Sequence, residues 1–314
     1  MTPRQIQLLV TDRRTLTPSI TEFVLTQAEN ASLPVFSPGS HVSIETPSGG
    51  MRRYSLVNDG RTPDRYLIAV KREADSRGGS QSMHDDALLG TTLLATEPEN
   101  AFSLADAPKY LLIAGGIGIT PIFAMTKHLL AQGKPFRLIY CTRSPADTAY
   151  LDEIKNLAGE RLTLHHDDGD PEKVYDFWDD LMTPDASHVY CCGPAPLMED
   201  VKSMSGHWKE GRVHFEDFKP VDAVRSDDKA FTVTLARSGR TVTVPADRSI
   251  LEALRDAGVK TVSSCESGTC GTCRTTLKSG AVDHRDMVLE ETDKQNHIMI
   301  CVSRAAAGDL VLDL

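Results

Sequence analysis

Residues 263–273 read SSCESGTCGTC, and this stretch determines the fold of the C-terminal part of the chain. Cys265, Cys270 and Cys273 follow the spacing C-x4-C-x2-C, and Cys301 lies 28 positions further on. Four cysteines with this plant-type spacing are typical of a [2Fe–2S] cluster, because soft thiolates suit iron and four of them complete its two tetrahedral sites. The sequence therefore predicts an iron–sulfur cluster held by these four residues.

Two other interpretations of the cysteines are weaker. Structural zinc sites favour two C-x2-C pairs, and only one is present. A disulfide framework fits poorly, because the seven cysteines are an odd number. Gly268 and Gly271 lie between the cysteines, where a tight loop needs positive φ and a close approach of the backbone to the cluster.

Composition sets the class of protein. With 314 residues, 40% hydrophobic and 25% charged, the chain is typical of a soluble protein of two or three domains. A net charge of −10 argues against nucleic-acid binding. No apolar run reaches the ~18 residues of a membrane span. The N-terminus, MTPRQIQLLVTDRR, does not resemble a signal peptide, so we expect a cytoplasmic protein.

Residues 1–105 predict a small antiparallel β-barrel. Its candidate strands are short apolar runs between turn signals: IQLLVTD, ITEFVLTQ, HVSIETP, RRYSLVN, RYLIAVKRE and TTLLATEP. We expect one helix near Ser82–Leu89. Residues 106–220 instead alternate apolar strands with helical patterns, which indicates a doubly wound parallel sheet. Residues 221–229 are polar, lack periodicity and are interpreted as a linker.

Residues 230–314 predict an α+β domain around the cysteine loop. FTVTLARSGRTVTVP forms a hairpin with Gly239 in its turn, and SILEALRDAG forms a helix that ends at Gly258. Residues 229–314 carry 11 basic and 11 acidic side chains, so this part is neutral overall. Net charge therefore does not show which surface meets a partner.

Two turns of the parallel sheet are candidates for nucleotide binding. AGGIGITP (114–121) follows one strand and opens a helix, where glycines let backbone N–H groups approach a pyrophosphate. Alone, it could be an ordinary tight strand–helix turn. CCGPAPLM (191–198) strengthens it, because both strands would end on the same carboxyl edge. Cys192 is then expected to line the nicotinamide site, and Cys141 and Cys191 to be core residues.

The barrel offers two candidates for binding a phosphate and a flat ring. RRYSLVN (52–58) can present Arg52 to a phosphate and Tyr54 to a ring, although an ordinary exposed strand would read the same way. RGGS (77–80) combines two glycines, a hydroxyl and a guanidinium at a turn before a helix.

Together these motifs resemble the ferredoxin–NADP reductase superfamily over essentially the whole chain. The motif R-x-Y-S matches Arg52, Tyr54 and Ser55, GGIGITP matches 115–121, and CGP matches 192–194. With the cluster domain at the C-terminal end, the chain resembles the branch of that superfamily that carries FMN and a [2Fe–2S] cluster. The x of R-x-Y-S is Arg53, where a small residue is expected, so a side-chain role there is in doubt.

The resemblance implies a full set of cofactor residues. FMN would be bound by residues of the barrel, by one threonine of the next domain and by an aromatic residue near the flavin: Arg52, Arg53, Tyr54, Ser55, Ala69, Val70, Lys71, Gly78, Gly79, Ser80, Thr120 and Phe218. The alternative interpretation of Phe218 is a core residue that anchors the linker. NADH would be bound at the edge of the parallel sheet by Gly115, Gly116, Gly118, Thr120, Pro121, Thr142, Arg143, Cys192, Gly193 and Pro194. Arg143 could also accept a 2′-phosphate, so the sequence leaves the choice between NADH and NADPH open.

The resemblance also implies the function. NADH would reduce FMN, the flavin would pass single electrons to the cluster, and the cluster would reduce a separate Rieske non-haem iron oxygenase that acts on aromatic compounds. We expect a monomer that meets this partner transiently, and no protein acid or base, since the cofactor carries the chemistry. The alternatives are a reductase for a cytochrome P450 or other haem oxygenase, and a non-enzymatic electron carrier, which the two nucleotide motifs disfavour.

Overall fold

A computed structural model describes residues 4–28, 32–74, 78–218, 223–225, 227–263, 266, 268 and 271–314. The chain forms two compact units, of which one ends at Phe218 and the other comprises the rest. The described strands form three sheets: an antiparallel sheet, a parallel sheet, and a mixed sheet in the second unit. Within the described residues, no helix is both long and apolar enough to cross a membrane.

The first sheet is the predicted barrel. Its strands are β1 (Gln5–Thr17), β2 (Ile20–Gln27), β3 (Ser40–Glu45), β4 (Met51–Ser55), β5 (Tyr66–Lys71), β6 (Thr92–Thr96) and the short β7 (Glu99–Asn100). They pair in the order β4-β3-β6-β1-β2-β5, with β7 on β3. Alternate side chains of β1 (Ile6, Leu8 and Val10) are buried, as expected for a strand with one face on a core.

The barrel closes where the chain leaves β4. The backbone N–H of Val57 donates to Leu67 O on β5 at 2.9 Å, and Leu67 N donates to Asn58 Oδ1 at 2.9 Å. The strand that carries the R-x-Y-S motif therefore lies at the seam of the barrel, next to β5.

The helix of the barrel begins three residues earlier than predicted. It is α1 (Gly79–Asp85), and it starts after Gly78, whose φ of +84° is accessible to glycine at little cost. Leu88 and Leu89, which the prediction placed inside the helix, are 54% and 65% exposed.

The second sheet is parallel throughout, as predicted. Strands β8 (Lys109–Gly115), β9 (Phe136–Thr142), β10 (Leu162–His166), β11 (Ser187–Cys192) and β12 (Val213–Glu216) run in the order β10-β9-β8-β11-β12. The helices are α2 (Ile119–Ala131), α3 (Leu151–Ala158), α4 (Trp178–Leu181) and α5 (Ala195–Ser205). Helix α4 is only four residues long, and Trp178 at its start is 55% exposed.

Polar contacts join this sheet's helices to the barrel within the first unit. Tyr150 donates its hydroxyl to Glu22 Oε2 at 2.8 Å, and Arg14 binds both Glu22 and Glu153. Lys127 on α2 donates to Val57 O at 3.0 Å, beside the barrel seam. Burial of this ammonium lowers the pKa of Lys127 to about 8.

The second unit contains β13 (Phe231–Leu235), β14 (Thr241–Val244), α6 (Ile250–Asp256), β15 (Arg274–Asp283), α7 (Glu291–Lys294), β16 (His297–Met299) and β17 (Arg304–Leu312). The predicted hairpin is β13–β14, with Gly239 at a φ of +70°. The predicted helix is α6, which Ser249 and Glu252 begin with a reciprocal capping box. These two predictions are confirmed.

A buried ion cluster ties residues before β13 to the rest of this unit. Arg285 donates to Asp228 at 2.8 and 2.5 Å, and Arg304 Nε lies 3.3 Å from Asp228 Oδ2. All three side chains are at most 7% exposed. The Arg285 hydrogen bond lowers the pKa of Asp228 to about 2. The part of the predicted linker that contains Asp228 therefore belongs to the second unit.

We predict that Asp228→Ala lowers the free energy of unfolding of the second unit by about 3–5 kcal/mol, because it leaves two buried guanidinium groups without their shared carboxylate. The folded pKa of Asp228 lies below its usual value, so its stabilisation is complete at neutral pH and is lost only as pH falls through about 2. Chemical denaturation followed by the visible absorbance of the cluster would measure the change.

The matched control is Asp313→Asn, which removes a carboxylate that pairs with Arg237 and Lys278 at the surface of the same unit. Its unfolding midpoint should move little. An equal change in the two variants would contradict the structural role given to Asp228.

Candidate functional site

The two glycine turns of the parallel sheet lie at one edge. Ala114 near the end of β8 is in register with Cys192 at the end of β11, and the strands are parallel. The chain therefore leaves both strands on the carboxyl side, where open α/β sheets bind ligands. The sequence prediction that these turns share an edge is confirmed.

The two turns are packed so tightly that side chains would not fit between them. A Cβ on Gly118 would lie 2.2 Å from Cys192 O, and one on Gly115 would lie 2.6 Å from Pro194 Cδ. Gly116 differs, because its Cβ would meet open space but its φ is +52°. Gly115 and Gly118 are thus required by packing, and Gly116 by backbone conformation.

The other predicted NADH residues surround this edge at different depths. Thr120 and Pro121 are buried in the first turn of α2, and the Thr120 hydroxyl donates to Ile117 O at 3.0 Å. Thr142 is buried with its hydroxyl 2.9 Å from His166 Nδ1, whereas Arg143 is exposed. Cys192, Cys141 and Cys191 are all buried, the latter two as predicted.

The barrel brings Arg52 to the glycine turn before α1. A Cβ on Gly79 would lie 3.1 Å from Arg52 Nε, so the turn and the guanidinium share one small space. The Ser80 hydroxyl accepts a hydrogen bond from Glu73 N at 3.1 Å. Arg77 lies outside the described residues. Arg52 and Gly79 therefore lie close together, and Gly78 and Ser80 are the chain neighbours of Gly79.

The seam strands β4 and β5 carry the remaining barrel candidates. Ser55 is buried, and its hydroxyl has no hydrogen-bond partner among the described residues. Tyr54 is partly buried, and desolvation raises its pKa above the usual value. Ala69 and Val70 are buried on β5, which lies beside the turn at 116–118, and Lys71 pairs with Glu73.

Phe218 is 38% exposed at the end of the first unit. It is therefore not a core residue that anchors the linker, which was the alternative interpretation. Arg53 is partly buried on β4, and its charge acts on Glu216.

Glu216 is a residue that sequence reasoning missed. It lies at the end of β12, in register with Cys192, and is 9% exposed. Its Oε2 has no hydrogen-bond partner among the described residues. Desolvation raises the pKa of Glu216 to about 7, and Arg53 opposes the shift. The signal in the sequence was the acidic Glu216 within RVHFEDF, a segment with the pattern of a strand.

These observations fit a planar cofactor that ends in a phosphate. A buried polar atom without a partner is uncommon and needs an explanation such as a ligand. Here Ser55 and Glu216 each offer such an atom in the first unit, and Arg52 with the Gly78–Gly79 turn offers an anion site.

Half of the predicted cluster ligands can be placed. Cys273 and Cys301 are 3% and 2% exposed, whereas Cys265 and Cys270 lie outside the described residues. Gly268 and Gly271 have φ values of +74° and +80°, and a Cβ on Gly268 would meet Val302 at 2.7 Å. The buried thiols and the left-handed glycines fit a tight loop around a cluster.

Comparison with known proteins identifies the family. Residues 233–306 match the 2Fe-2S iron-sulfur cluster binding domain, and residues 112–203 match the oxidoreductase NAD-binding domain. The chain is 47% identical to phthalate dioxygenase reductase of Burkholderia cepacia over 313 residues, which are 98% of this chain and 97% of the relative. The chain belongs to the phthalate dioxygenase reductase family.

Solved structures agree with this family. A phthalate dioxygenase reductase, described as a modular structure for electron transfer from pyridine nucleotides to [2Fe-2S], has a TM-score of 0.85 and 46% identity, covering 99% of this chain and 98% of the other. An intact type IV self-sufficient cytochrome P450 monooxygenase has a TM-score of 0.78 and 34% identity, covering 99% of this chain but 41% of the other. The three-part fold predicted from sequence is confirmed.

We predict that Gly118→Ala strongly weakens NADH binding, because a methyl group 2.2 Å from Cys192 O must push the two turns of the sheet edge apart. Gly206→Ala is the control, since its Cβ would lie 3.7 Å from the nearest atom and its φ is −60°. The KM for NADH with ferricyanide as acceptor would measure the effect. Equal KM values in the two variants would show that the close approach is unimportant.

We predict that Glu216→Gln stabilises the first unit more at high pH than at low pH. The folded pKa of Glu216 is raised from 4.5 to about 7, so the stability linked to its protonated form is complete below about 4.5 and is lost as pH rises through 7. The variant should gain about 1–3 kcal/mol near pH 8.5 and clearly less near pH 5.5, where the unfolded carboxyl is ionised but the folded one is still protonated.

Thermal unfolding of the wild type and the variant at the two pH values would measure this. Glu199→Gln changes an exposed carboxylate on α5 and should have no such pH dependence. A stability gain of Glu216→Gln that did not vary with pH would contradict the assignment.

Proposed function

We propose that this chain is the reductase component of a Rieske-type aromatic oxygenase, and that it carries electrons from NADH through FMN and a [2Fe–2S] cluster to that oxygenase. The observation that carries the proposal is a nearly full-length match to phthalate dioxygenase reductase in both sequence and fold. The match spans the barrel, the nucleotide sheet and the cluster-bearing part, so all three expected sites are included.

The role of the protein is to hold its cofactors in place. When bound, the flavin accepts a hydride from the nicotinamide and releases electrons one at a time to the cluster. Arg52 and the Gly78–Gly79 turn hold the phosphate of the flavin through charge-assisted and backbone hydrogen bonds. Ser55 offers its hydroxyl from the seam of the barrel, and Thr120 comes from the start of α2.

The nucleotide sheet holds the nicotinamide coenzyme at its carboxyl edge. Gly116 and Gly118 let backbone N–H groups approach the pyrophosphate, while Cys192 and Glu216 end adjacent strands at the same edge. Because Glu216 is buried with a pKa near 7, it can be neutral or charged when the coenzyme binds. It is a positioning residue in this proposal.

FMN rather than FAD is supported by the barrel turn. Arg52 lies against Gly79, so the anion site is a compact one suited to a terminal phosphate. NADH rather than NADPH is supported by Asp167 and Asp168, which follow β10 directly, and Asp168 N donates to Arg143 O at 2.8 Å. Asp167 and Asp168 add negative charge to the turn whose backbone binds Thr142 and Arg143, which would oppose the binding of a 2′-phosphate.

The setting of the reaction is part of the proposal. We place the protein in the cytoplasm as a monomer that meets the oxygenase transiently. Free cysteines among the described residues and the use of NADH support a reducing compartment. Transient electron-transfer contacts are small, below about 1,200 Å².

A second function is a reductase for a haem oxygenase. The similarity to an intact type IV self-sufficient cytochrome P450 monooxygenase favours it, because 99% of this chain matches 41% of that protein. The similarity is lower than that to phthalate dioxygenase reductase, at 34% against 46% identity.

We predict that Cys270→Ser abolishes electron transfer to the oxygenase and leaves NADH-dependent ferricyanide reduction nearly intact. The flavin and nucleotide residues lie in the first unit, and the cysteine belongs to the second. Oxygen uptake with the oxygenase component of the phthalate system, ferricyanide reduction and the EPR signal of the reduced cluster would be measured together.

Parallel assays should use a cytochrome P450 as acceptor. Efficient wild-type turnover with the P450 and none with the Rieske oxygenase would move the function to the second candidate. Loss of ferricyanide reduction in a folded Cys270→Ser protein would contradict the separation of the two sites.

A further inference from the structure

The cluster-bearing unit exposes three large apolar side chains beside the cysteine loop. Val262 is 44% exposed, Met287 62% and Val288 37%. Val262 directly precedes the loop at 263–273. Met287 and Val288 lie in the segment between β15 and α7, far from the loop in sequence. We call these three residues the cluster-side patch.

Hydrogen bonds and close contacts hold the second segment of the patch against the loop. Met287 N donates to Gly268 O at 3.0 Å. A Cβ on Gly271 would lie 3.4 Å from Val288 Cγ1, and one on Gly268 would lie 3.3 Å from Asp286 Cα. The patch therefore borders the loop that contains three of the four predicted cluster ligands.

The backbone under the patch is fixed. Asp286 Oδ2 accepts hydrogen bonds from Val288 N at 3.2 Å and Leu289 N at 2.8 Å, and the Asp286 side chain is itself buried. Leu289 points inward and is 7% exposed. Met287 thus stays exposed because its neighbours on both sides are anchored, so its exposure is built into the fold.

Several charged side chains around the loop form ion pairs within the unit. Arg255 binds Glu266 at 2.6 Å and donates to the hydroxyl of Ser263, which follows Val262, at 3.2 Å. Arg285 binds Asp228 and Asp283. Exposed Lys260 and Glu290 lie two positions outside the patch on either side, so the apolar surface is flanked by one charge of each sign besides these ion pairs. This agrees with the equal numbers of acidic and basic side chains in residues 229–314.

Electron transfer requires the acceptor to approach the cluster, because tunnelling weakens steeply with distance. An acceptor protein must then cover the surface that borders the cysteine loop. Exposed apolar patches mark protein interaction sites, and methionine is well suited to a contact that must form and dissociate repeatedly. A docking surface without net charge provides affinity by burial rather than by steering.

We propose that Val262, Met287 and Val288 form the surface on which the oxygenase component docks to take electrons from the cluster. This inference rests on the proposed function, since it assumes an oxygenase as the acceptor. The occupant is a protein surface that is itself apolar and close to neutral. The experiment below distinguishes the oxygenase from the competing occupant, which is the flavin-bearing unit of the same chain.

The experiment compares Met287→Gln/Val288→Thr with Met182→Gln/Val35→Thr in the full-length holoprotein. The control makes the same chemical changes at exposed positions of the first unit, where Met182 is 37% and Val35 68% exposed. Binding to the oxygenase component of the phthalate system is measured by biolayer interferometry and by the KM for that component. The rate of cluster reduction by NADH is measured by stopped-flow absorbance.

We expect the patch variant to raise both Kd and KM for the oxygenase about five- to twentyfold, as for the loss of one or two apolar anchors of a small interface. Cluster reduction, ferricyanide reduction and the EPR signal of the cluster should equal those of the wild type. Met287→Gln alone should give a smaller change in the same direction. This single variant replaces the double variant in the test if the double variant disturbs the loop. The control should be unchanged.

Three outcomes would overturn the inference. Unchanged Kd and KM would show that the oxygenase docks elsewhere. A slower reduction of the cluster with an unchanged Kd would assign the patch to the flavin-bearing unit. An equal loss of binding in the control would show a non-specific effect.

Failure of the proposed function looks different. In that case the wild type itself would not reduce the Rieske oxygenase. The same variants would then be measured with the P450 that it does reduce, and an unchanged Kd there would also reject the patch.

Discussion

The flavin and nucleotide half of this protein depends on the contact between Gly118 and the carbonyl of Cys192. No side chain can occupy Gly118, because its Cβ would lie 2.2 Å from that oxygen. The contact brings the turn after β8 onto the turn after β11 and fixes where α2 begins. Thr120 follows two residues later, and Glu216 lies beside Cys192 on the next strand. One backbone contact thus places groups from three elements at a single edge.

The buried polar groups of this protein are of two kinds. Where they join parts of the structure, they are fully paired, as for Asp228 with Arg285 and Arg304, or Glu22 with Tyr150. At the proposed flavin and nicotinamide sites, Ser55 and Glu216 each keep a buried oxygen without a partner among the described residues. Because such atoms cost free energy when they remain unsatisfied, Ser55 and Glu216 are candidates for contact with a ligand, but Gln27 Oε1 and His284 Nδ1 outside these sites also lack a hydrogen-bond partner among the described residues.

Much of the fold could be predicted from the sequence, because local signals and long-range packing agree there. The capping box at Ser249 and the turn at Gly239 each specify their element locally. The helix predicted near Ser82–Leu89 lies at Gly79–Asp85, and the apolar Leu88 and Leu89 beyond its end are exposed. The sequence pattern of a helix cannot distinguish an apolar residue that is buried from one that is exposed at the surface.

The site was harder to predict than the fold. The glycine turns and the cysteines follow spacing rules, whereas Glu216 and Met287 carry no motif. Glu216 becomes notable only when β12 pairs with β11, and Met287 only when the loop at Gly268 binds its backbone. Both depend on contacts between residues far apart in sequence. The individual FMN and NADH residues remain predictions that rest on resemblance and on these placements.

The central claim is that the flavin bound by the barrel ends in a phosphate, which lies beside Arg52 and Gly79. The most direct measurement is the identity and amount of flavin released from the purified protein by heat, determined by mass spectrometry and absorbance. The account predicts one FMN for each chain, released without cleavage of a covalent bond. FAD in its place would contradict the claim, because the adenylate would have to extend past the turn where Arg52 and Gly79 are in contact.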